Sequence, residues 1–231
     1  MPRKPLQMPL SLPEPKRWGG RRLGAGRPRK LTTDLPHASR EHFGAPLPAH
    51  VTLRMRSGLP SLRTVPIVRE LERSFRVARA RPGFRLVHYS LQGNHAHLIV
   101  EARDRDALGR GMKSIAARIA RAVNRITRRK GPVLADRYHL RLLPTPTEVR
   151  NALRYVLLNA RHHADEAKKA LRRAVRLDPA SSAAWFDGWR TKPPECREVE
   201  LARRPVASPR TWLLGVGWRR LGLIDPADVP G

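Results

Sequence analysis

The chain has 231 residues, with 47 Lys and Arg against 19 Asp and Glu and a formal net charge of +28. Its single cysteine, Cys196, excludes an internal disulfide framework and a multi-cysteine zinc site. No apolar run approaches the roughly 18 residues that span a bilayer. Prolines also interrupt the N-terminal segment, where a signal peptide needs a continuous apolar stretch. We therefore expect a soluble intracellular protein without a membrane partner.

The excess of positive charge comes mainly from arginine. Lysine contributes only 8 of the basic residues, so arginine contributes 39. The planar guanidinium suits bidentate contact with phosphates and base edges better than an ammonium does. Arginine richness that reflected only a GC-rich genome would be balanced by Asp and Glu, and it is not. The composition favours a nucleic-acid partner and a cytoplasmic, nucleoid-associated location.

Residues 1–48 are predicted to form a disordered basic arm. They carry many prolines, ten basic and three acidic residues, and almost no apolar periodicity. Within the arm, the segment GAGRPRK resembles an AT-hook, an extended core that lies in a narrow A·T minor groove. Its candidate DNA contacts are Arg27, Pro28 and Arg29. The alternative is a tail that binds phosphates without sequence preference.

A folded domain is predicted over residues 49–165, where strand and helix patterns alternate. The segment HVTLRMR (50–56) alternates apolar and polar residues and predicts a strand. Apolar spacing predicts a helix over 65–79. Two strands, 84–92 and 95–102, flank the pair Gly93-Asn94 and predict an antiparallel hairpin.

The next predicted helix covers about 104–129 and has one apolar and one basic side. Its apolar residues recur at spacings of three and four. The basic side is single-signed and lacks the Glu residues that would pair with it at i,i+4, which favours contact with nucleic acid over a merely solvated face. The residues of this basic stripe are Arg110, Lys113, Arg121, Arg125 and Arg128.

The domain ends in a predicted strand over 133–143 and a helix from Pro146 to Ala160. The element order is therefore strand, helix, strand, strand, helix, strand, helix. This order predicts an α+β fold of the split βαβ (ferredoxin-like) kind, an antiparallel sheet with packed helices. Residues 166–231 are interpreted as a partly irregular C-terminal extension. Its aromatic residues either dock on the domain or bind the partner; they are Trp185, Phe186, Trp189, Trp212 and Trp218.

Two histidines stand at i,i+2 on the second hairpin strand. Side chains two positions apart in a strand project from the same face, so His95 and His97 can share one metal ion. The alternative is that both are ordinary half-buried polar residues.

The last predicted helix has a polar stripe opposite an apolar one. Projection at 100° per residue places the apolar side chains together and leaves Tyr155 outside the core. If the polar stripe faces the histidine strand, two imidazoles and an amide oxygen form an open metal site beside a phenol. The polar stripe consists of Glu148, Asn151, Tyr155, Asn159 and His162.

These motifs resemble the single-tyrosine transposases of the HUH (His, hydrophobic, His) class, especially the REP-associated and insertion-sequence members. The resemblance covers about residues 50–163, through HVTLR, GNHAHLIVE, the Arg137-Tyr138-His139 segment and YVLLN. Family members typically read N-H-x-H after the hairpin turn and Y-I-x-x-N-P on the final helix. This chain departs from the pattern at Gly93 and Ala160, where the family usually has proline.

The resemblance implies an HUH endonuclease core and a catalytic assignment. Tyr155 would attack a DNA phosphodiester and form a 5′-phosphotyrosine, with His95, His97 and Asn159 as ligands of Mg²⁺ or Mn²⁺. The implied partner is single-stranded or hairpin-forming DNA, bound by a monomer or homodimer. Tyr138 and Tyr89 are the rival nucleophiles.

Three functions are consistent with the expected nucleic-acid partner. The first is a nicking and joining transposase. The second is a domesticated DNA-binding protein without cleavage activity, which would not need all four site residues. An RNA-binding module is disfavoured, because only 5% of the residues are aromatic and no predicted strand carries a stacking pair.

Overall fold

A computed structural model describes residues 43–162, 177–196 and 203–228. The AT-hook-like residues Arg27, Pro28 and Arg29 lie outside these ranges. Five antiparallel strands form one sheet in the order β2-β3-β4-β1-β5. The strands are β1 (Leu47–Arg54), β2 (Ala80–Arg81), β3 (Phe84–Leu91), β4 (His95–Ala102) and β5 (His139–Leu142).

Three long helices connect and cover these strands. Asp104 caps the second helix, because its carboxylate accepts a hydrogen bond from the Ala107 amide at 2.7 Å. Thr127, whose hydroxyl donates to the Val123 carbonyl, follows the last residue of the same helix. The helices are α1 (Val65–Ala78), α2 (Arg105–Ile126), α3 (Pro146–His162) and the short α4 (Trp212–Gly215), with 3₁₀ turns at Ala183–Trp185 and Gly217–Leu221.

The observed connectivity confirms the α+β prediction. Without the two-residue β2, the strand order is β3-β4-β1-β5, with α1 and α2 as the crossover helices. That order is the split βαβ arrangement.

Alternation along the strands gives the sheet two chemically different faces. On β4, Ala96, Leu98 and Val100 pack into a core with α1 and α2, which we call the α1/α2 core. Ile99 lies on the opposite face and packs with Leu153 of α3, in what we call the α3 core. His95 and His97 share the face of Ile99, because side chains two apart in a strand project to the same side.

The C-terminal segments pack on the α3 core. Trp189 and Trp218 are 7% and 1% exposed, and Phe186 stacks on Trp218 with ring centroids 5.5 Å apart. Gly188 permits this packing, since a Cβ there would lie 2.3 Å from the Trp218 ring. Of the two roles considered for these aromatics, docking on the domain therefore holds for Phe186, Trp189 and Trp218.

Two predicted strand boundaries were wrong. The strand predicted over 133–143 is regular only over β5, because the Asp136 carboxylate accepts from the Arg137 amide in a bend that leaves the ladder. The first strand begins at Leu47, three residues before the predicted start. Pro48 cannot donate a ladder hydrogen bond, but its carbonyl accepts one from the Leu143 amide at 2.9 Å.

Within the described parts of the chain, no helix has the length and apolar character needed to cross a membrane.

Candidate active site

The two histidines of β4 point their Nε2 atoms at the same place. His95 lies at the start of the strand, directly after the hairpin turn, and His97 is 4% exposed. Their Nε2 atoms are 3.0 Å apart and the rings meet edge to face. Two nitrogens that bind the same cation, each at about 2.1 Å, can lie at this separation.

Asn94 orients the ring of His95. The amide oxygen of Asn94 lies 2.8 Å from Nδ1 of His95. Because an amide oxygen only accepts, Nδ1 carries the hydrogen and Nε2 presents its lone pair. This is the outer hydrogen bond that commonly orients a metal-binding histidine. Sequence reasoning matched Asn94 to the family motif but did not assign it this role.

Two residues of β1 contact the far side of the His97 ring. Nδ1 of His97 lies 3.1 Å from Oγ1 of Thr52 and 3.2 Å from Nε2 of His50. Burial, followed by the charges of His139 and Arg141, lowers the pKa of His50 to about 4. His50 is therefore neutral at pH 7, and both neighbours can accept a hydrogen from Nδ1 of His97. In that tautomer Nε2 of His97 also presents a lone pair.

Helix α3 brings Tyr155 to this histidine pair. The Tyr155 hydroxyl lies 3.5 Å from Nε2 of His97, and the two rings meet edge to face with centroids 5.0 Å apart. Tyr155 is half-buried, with one edge against the α3 core. The phenol is thus beside the point on which the two Nε2 atoms converge.

Asn159, one turn beyond Tyr155 on α3, is fully buried, although the sequence placed it on the polar stripe. Neither its amide oxygen nor its amide nitrogen has a hydrogen-bond partner among the described residues. An unsatisfied buried amide costs about 1–3 kcal/mol, so a site that keeps one usually has a use for it. Asn151, earlier on the same stripe, is exposed. The stripe therefore runs from the surface into the interior.

These residues fit a divalent cation in one particular way. Within residues 43–162, 177–196 and 203–228, no three His, Cys, Asp or Glu side chains are grouped so as to hold a metal. A site here would therefore use the Nε2 atoms of His95 and His97 and an amide oxygen, for which Asn159 is the candidate. Mixed nitrogen and oxygen donors with open positions suit Mn²⁺ and Mg²⁺.

Both rival tyrosines lie on the other side of the sheet. Tyr89 is fully buried in the α1/α2 core, and its hydroxyl donates to Glu72 at 3.2 Å. Tyr138 is half-buried against the same core. The sheet separates the Tyr89 hydroxyl from His95 and His97, and of the three tyrosines Tyr155 is the one with a hydroxyl contact to His97 among the interactions described.

Strand register adds basic groups that sequence reasoning did not assign to this face. Arg54 pairs with His95, Thr52 with His139, and His50 with Arg141. Directly paired residues project to the same side of a sheet. Arg54, His139 and Arg141 are exposed, so they can approach a polyanion bound at this face. The pairing of β1 with β4 and β5 places them on this face.

The basic stripe of α2 lies elsewhere. All five predicted members are exposed, but Arg128 does not belong to the helical stripe, because α2 ends at Ile126 and Arg128 has a φ of 51°. Helix α2 packs on the α1/α2 core, so the helix and the sheet stand between the stripe and the histidine pair. Arg125 forms an ion pair with Glu70 of α1, a partner that the helix's own sequence does not contain. Contact of this stripe with DNA remains a prediction, and it would involve a different part of the surface from the histidine site.

The C-terminal segment fixes α3 against the sheet. Arg154 pairs with Asp228 at 3.1 Å, and Arg150 donates to the Gly222 carbonyl at 3.1 Å. Trp218, in the same segment, fills the α3 core. The helix that carries Tyr155 and Asn159 is therefore held from both sides.

No protein-family model matches this chain, and no curated protein does either. Solved structures similar to it include a REP-associated tyrosine transposase bound to a REP hairpin. That structure has a TM-score of 0.44 and 14% identity, over 56% of this chain and 75% of the other. A candidate transposase from Deinococcus radiodurans R1 has a TM-score of 0.37 and 14% identity, over 49% of this chain and 91% of the other. The first of these proteins carries the name of the family that the sequence motifs resemble.

Proposed function

We propose that this protein is a metal-dependent transposase that nicks and joins single-stranded DNA, with Tyr155 as its nucleophile. One observation carries the proposal: the Tyr155 hydroxyl lies 3.5 Å from Nε2 of His97, which itself lies 3.0 Å from Nε2 of His95. These residues come from separate elements, β4 and α3, and the fold brings them together. The motif resemblance assigns the same residues to the reacting site.

In this proposal His95, His97 and Asn159 hold a divalent cation, Mg²⁺ or Mn²⁺. When bound, the cation polarises the scissile phosphate and offsets its negative charge. Asn94 can accept the hydrogen of Nδ1 of His95, and Thr52 and His50 can accept that of His97, which would leave both Nε2 atoms free to bind the cation. The buried, unpartnered amide of Asn159 supports its assignment as the oxygen donor.

Tyr155 would then exchange one phosphoester for another. Its oxygen forms a bond to phosphorus while the bond from phosphorus to the 3′ oxygen breaks. The products are a 5′-phosphotyrosine and a free 3′-OH. Because the ester is retained, a 3′-OH can attack the phosphotyrosine and rejoin the strand without ATP.

The surface charge supports DNA as the substrate. The chain has a net charge of +28, and the exposed Arg54, His139 and Arg141 share the face of the histidine pair. A strand bound there would meet the guanidinium groups of Arg54 and Arg141 on the β1 and β5 side of the histidine pair. The preferred substrate in this proposal is single-stranded DNA that folds into a hairpin.

Covalent capture of DNA tests the proposal. The full-length protein is incubated with labelled hairpin oligonucleotides that carry unpaired flanks, in Mn²⁺, Mg²⁺ or EDTA, and separated on a denaturing gel. We expect a protein–DNA adduct with either metal and none in EDTA. Tyr155→Phe should abolish the adduct and leave the affinity for DNA nearly unchanged, because only the attacking oxygen is removed. Tyr138→Phe is the matched control and should form the adduct.

Two results would overturn the assignment. An adduct that survives in Tyr155→Phe and disappears in Tyr138→Phe would move the nucleophile to Tyr138. Tight binding of the oligonucleotides with no adduct under any metal condition would instead favour the DNA-binding protein without cleavage activity.

A further inference from the structure

A second concave site lies at the opposite end of the hairpin from the histidines. A cavity of about 830 Å³ opens where β2, β3 and β4 meet α4, and Glu101 and Ala102 at the end of β4 line it. His95 starts the same strand, six residues before Glu101. At about 3.3 Å per residue, the two ends are roughly 20 Å apart. The cavity is therefore separate from the candidate active site.

The polar part of the lining is strongly basic. Four arginines contribute to it: Arg81, Arg85, Arg103 and Arg210. The one carboxylate in the lining, Glu101, is 4% exposed and already occupied. It accepts hydrogen bonds from the amides of Arg210 and Thr211 and from the Thr211 hydroxyl, at 2.7–3.0 Å. The charge of Glu101 acts on Arg85, and Arg103 forms an ion pair with Asp104 at 2.9 Å, so these two carboxylates offset only part of the charge of the four arginines.

An exposed tryptophan forms part of the wall. Trp212 is 51% exposed, in contrast to the buried Trp189 and Trp218. Its ring packs on the backbone of Gly217, where a Cβ would lie 2.7 Å from the ring, and the Arg220 guanidinium lies 5.2 Å from the ring centroid. The indole is thus held in place by its own segment and still presents surface to solvent.

Helix α2 adjoins the cavity, because a Cβ at Gly83, in the cavity lining, would lie 3.1 Å from the Cβ of Ala107 on α2. Burial and then the charges of Arg81 and Arg121 lower the pKa of Arg118 on α2. Burial and then Arg210 lower the pKa of Arg85. These mutual effects occur only over short distances. Arg81, in the cavity lining, therefore lies within electrostatic range of Arg118 on α2.

We propose that this cavity binds one unpaired nucleotide of a DNA strand, with the base stacked on Trp212 and the adjoining phosphates held by Arg85 and Arg210. A fixed aromatic ring beside cationic groups is how proteins bind single strands without pairing to them. The volume lies in the range of small-molecule pockets, which admit a nucleotide and not a duplex. This inference depends on the DNA binding in the proposed function, but not on strand cleavage.

The occupant follows from the combination of groups. Arginine alone would suit any phosphate or acidic peptide. An exposed indole adds affinity only for a ligand with a flat apolar face, which an unpaired base has and a paired base buries in its stack. An acidic peptide is therefore the disfavoured ligand, and the experiment includes it as a competitor.

Binding of a matched pair of oligonucleotides tests the inference. One is a fluorescein-labelled DNA hairpin with an unpaired 5′ extension, and the other is the same hairpin with a blunt end. Anisotropy is measured with the full-length protein in EDTA, so that no metal-dependent reaction takes place. We expect Trp212→Ala to weaken binding of the extended hairpin by roughly 5- to 150-fold and to leave the blunt hairpin unchanged. Trp212→Phe should retain most of the affinity, because a ring remains.

Control variants separate stacking from general charge and apolarity. Arg210→Ala should weaken binding of the extended hairpin more than Arg73→Ala does. Arg73→Ala removes an exposed charge on α1 outside the cavity. Leu221→Ala removes another exposed apolar side chain of the same segment and should bind as the wild type does. Thermal melting checks that each variant folds. If Trp212→Ala does not fold, stacking is tested with two other variants, Trp212→Phe and Arg210→Ala. Their affinities are measured for the extended hairpin with bases and for the same hairpin with abasic residues in the extension.

Three results would overturn the inference. The first is equal affinity of the wild type for extensions with bases and with abasic residues. The second is an equal loss for the blunt and extended hairpins in Trp212→Ala. The third is competition by a poly-glutamate peptide as effective as that by the unlabelled extension. A protein that binds in this way but forms no adduct would refute the proposed cleavage and leave the nucleotide site standing.

Discussion

The hydroxyl of Tyr155 lies 3.5 Å from Nε2 of His97, although 58 positions separate the two residues in the chain. The contact forms because the histidine side chains of β4 project to the face of the sheet that α3 covers, while α1 and α2 cover the opposite face. It places a phenol next to two converging imidazole nitrogens. A purely structural role for His97 would not need Nε2 of His95 at 3.0 Å.

The first prediction concerns the metal. His95→Ala, His97→Ala and Asn159→Ala should each lower the affinity for Mn²⁺ and the yield of DNA adduct together. Each removes one donor from a site that has few. Titration calorimetry with Mn²⁺ measures the affinity, and the gel assay measures the adduct. Activity with Mn²⁺ should at least equal that with Mg²⁺, because imidazole suits the softer ion.

His139→Ala is the control for that experiment. His139 lies on the same face of the sheet but pairs with Thr52 and is exposed. The His139→Ala variant should bind Mn²⁺ with the affinity of the wild type. Full adduct formation in EDTA, or unchanged Mn²⁺ affinity in both histidine variants of β4, would refute the metal site.

The second prediction concerns the residue that orients His95. Asn94→Ala removes the acceptor of the Nδ1 hydrogen bond and frees the ring to rotate and change tautomer. Loss of such an outer partner typically costs about 10- to 100-fold in metal affinity. We therefore expect a weaker Mn²⁺ titration with an unchanged melting temperature, since Asn94 is exposed. Asn94→Asp should restore the affinity, because a carboxylate also accepts from Nδ1. If Asn94→Ala bound Mn²⁺ like the wild type, the orienting role would be wrong.

The third prediction concerns stability against pH. Burial and then the charge of Arg204 lower the pKa of His88 to about 3, and the pKa of His50 is lowered to about 4. An unfolded histidine takes up its proton near pH 6.5. Between these values the unfolded chain holds more protons, so stability is complete above pH 6.5 and falls as pH falls. Each histidine should cost about 2 kcal/mol between pH 6.5 and 5.

Urea denaturation in EDTA at pH 7.5 and pH 5.0 measures this loss. His88→Gln should lower the stability at pH 7.5, because it disturbs the contact of His88 with Ser182 and Phe186. It should also reduce the loss between the two pH values by about 2 kcal/mol. An unchanged pH dependence in His88→Gln would show that His88 does not contribute.

The fourth prediction concerns the basic arm, residues 1–48, which carries ten positive and three negative charges but none of the proposed reacting groups. Deleting it should weaken DNA binding and make the dependence of log K on log salt shallower. Each lost phosphate contact removes about 0.7–0.9 from the slope. The rate of adduct formation at saturating DNA should hardly change. Equal salt slopes for the full-length and truncated proteins would show that the arm does not touch DNA.

Arg27→Ala is the finer test of the arm. If the AT-hook resemblance is right, this variant should lose preference for A·T-rich flanking duplex, because an arginine in a narrow minor groove responds to its width. Arg22→Ala, outside the GAGRPRK segment, removes the same charge and should keep the preference. Equal effects of both variants would favour the tail that binds phosphates without sequence preference.

The sequence by itself determined which segments form most of the regular elements. Predictions for α1, α2, β3 and β4 agree with the structure to within three residues at each end. Periodicity also placed His95 and His97 on one face. These features depend on backbone geometry over a few neighbouring residues, so the local pattern contains them.

Only the tertiary structure decided which faces meet. The projection of α3 left Tyr155 outside the core, but whether it faced solvent or the histidines depended on which side of the sheet α3 covered. The same choice buried Asn159 and put the α2 stripe on the opposite side from the histidine pair. The pairing of β1 with β4 brought His50 and Thr52 to His97. Strand register and helix placement result from many weak contacts between segments far apart in the chain, and no short stretch of sequence encodes them.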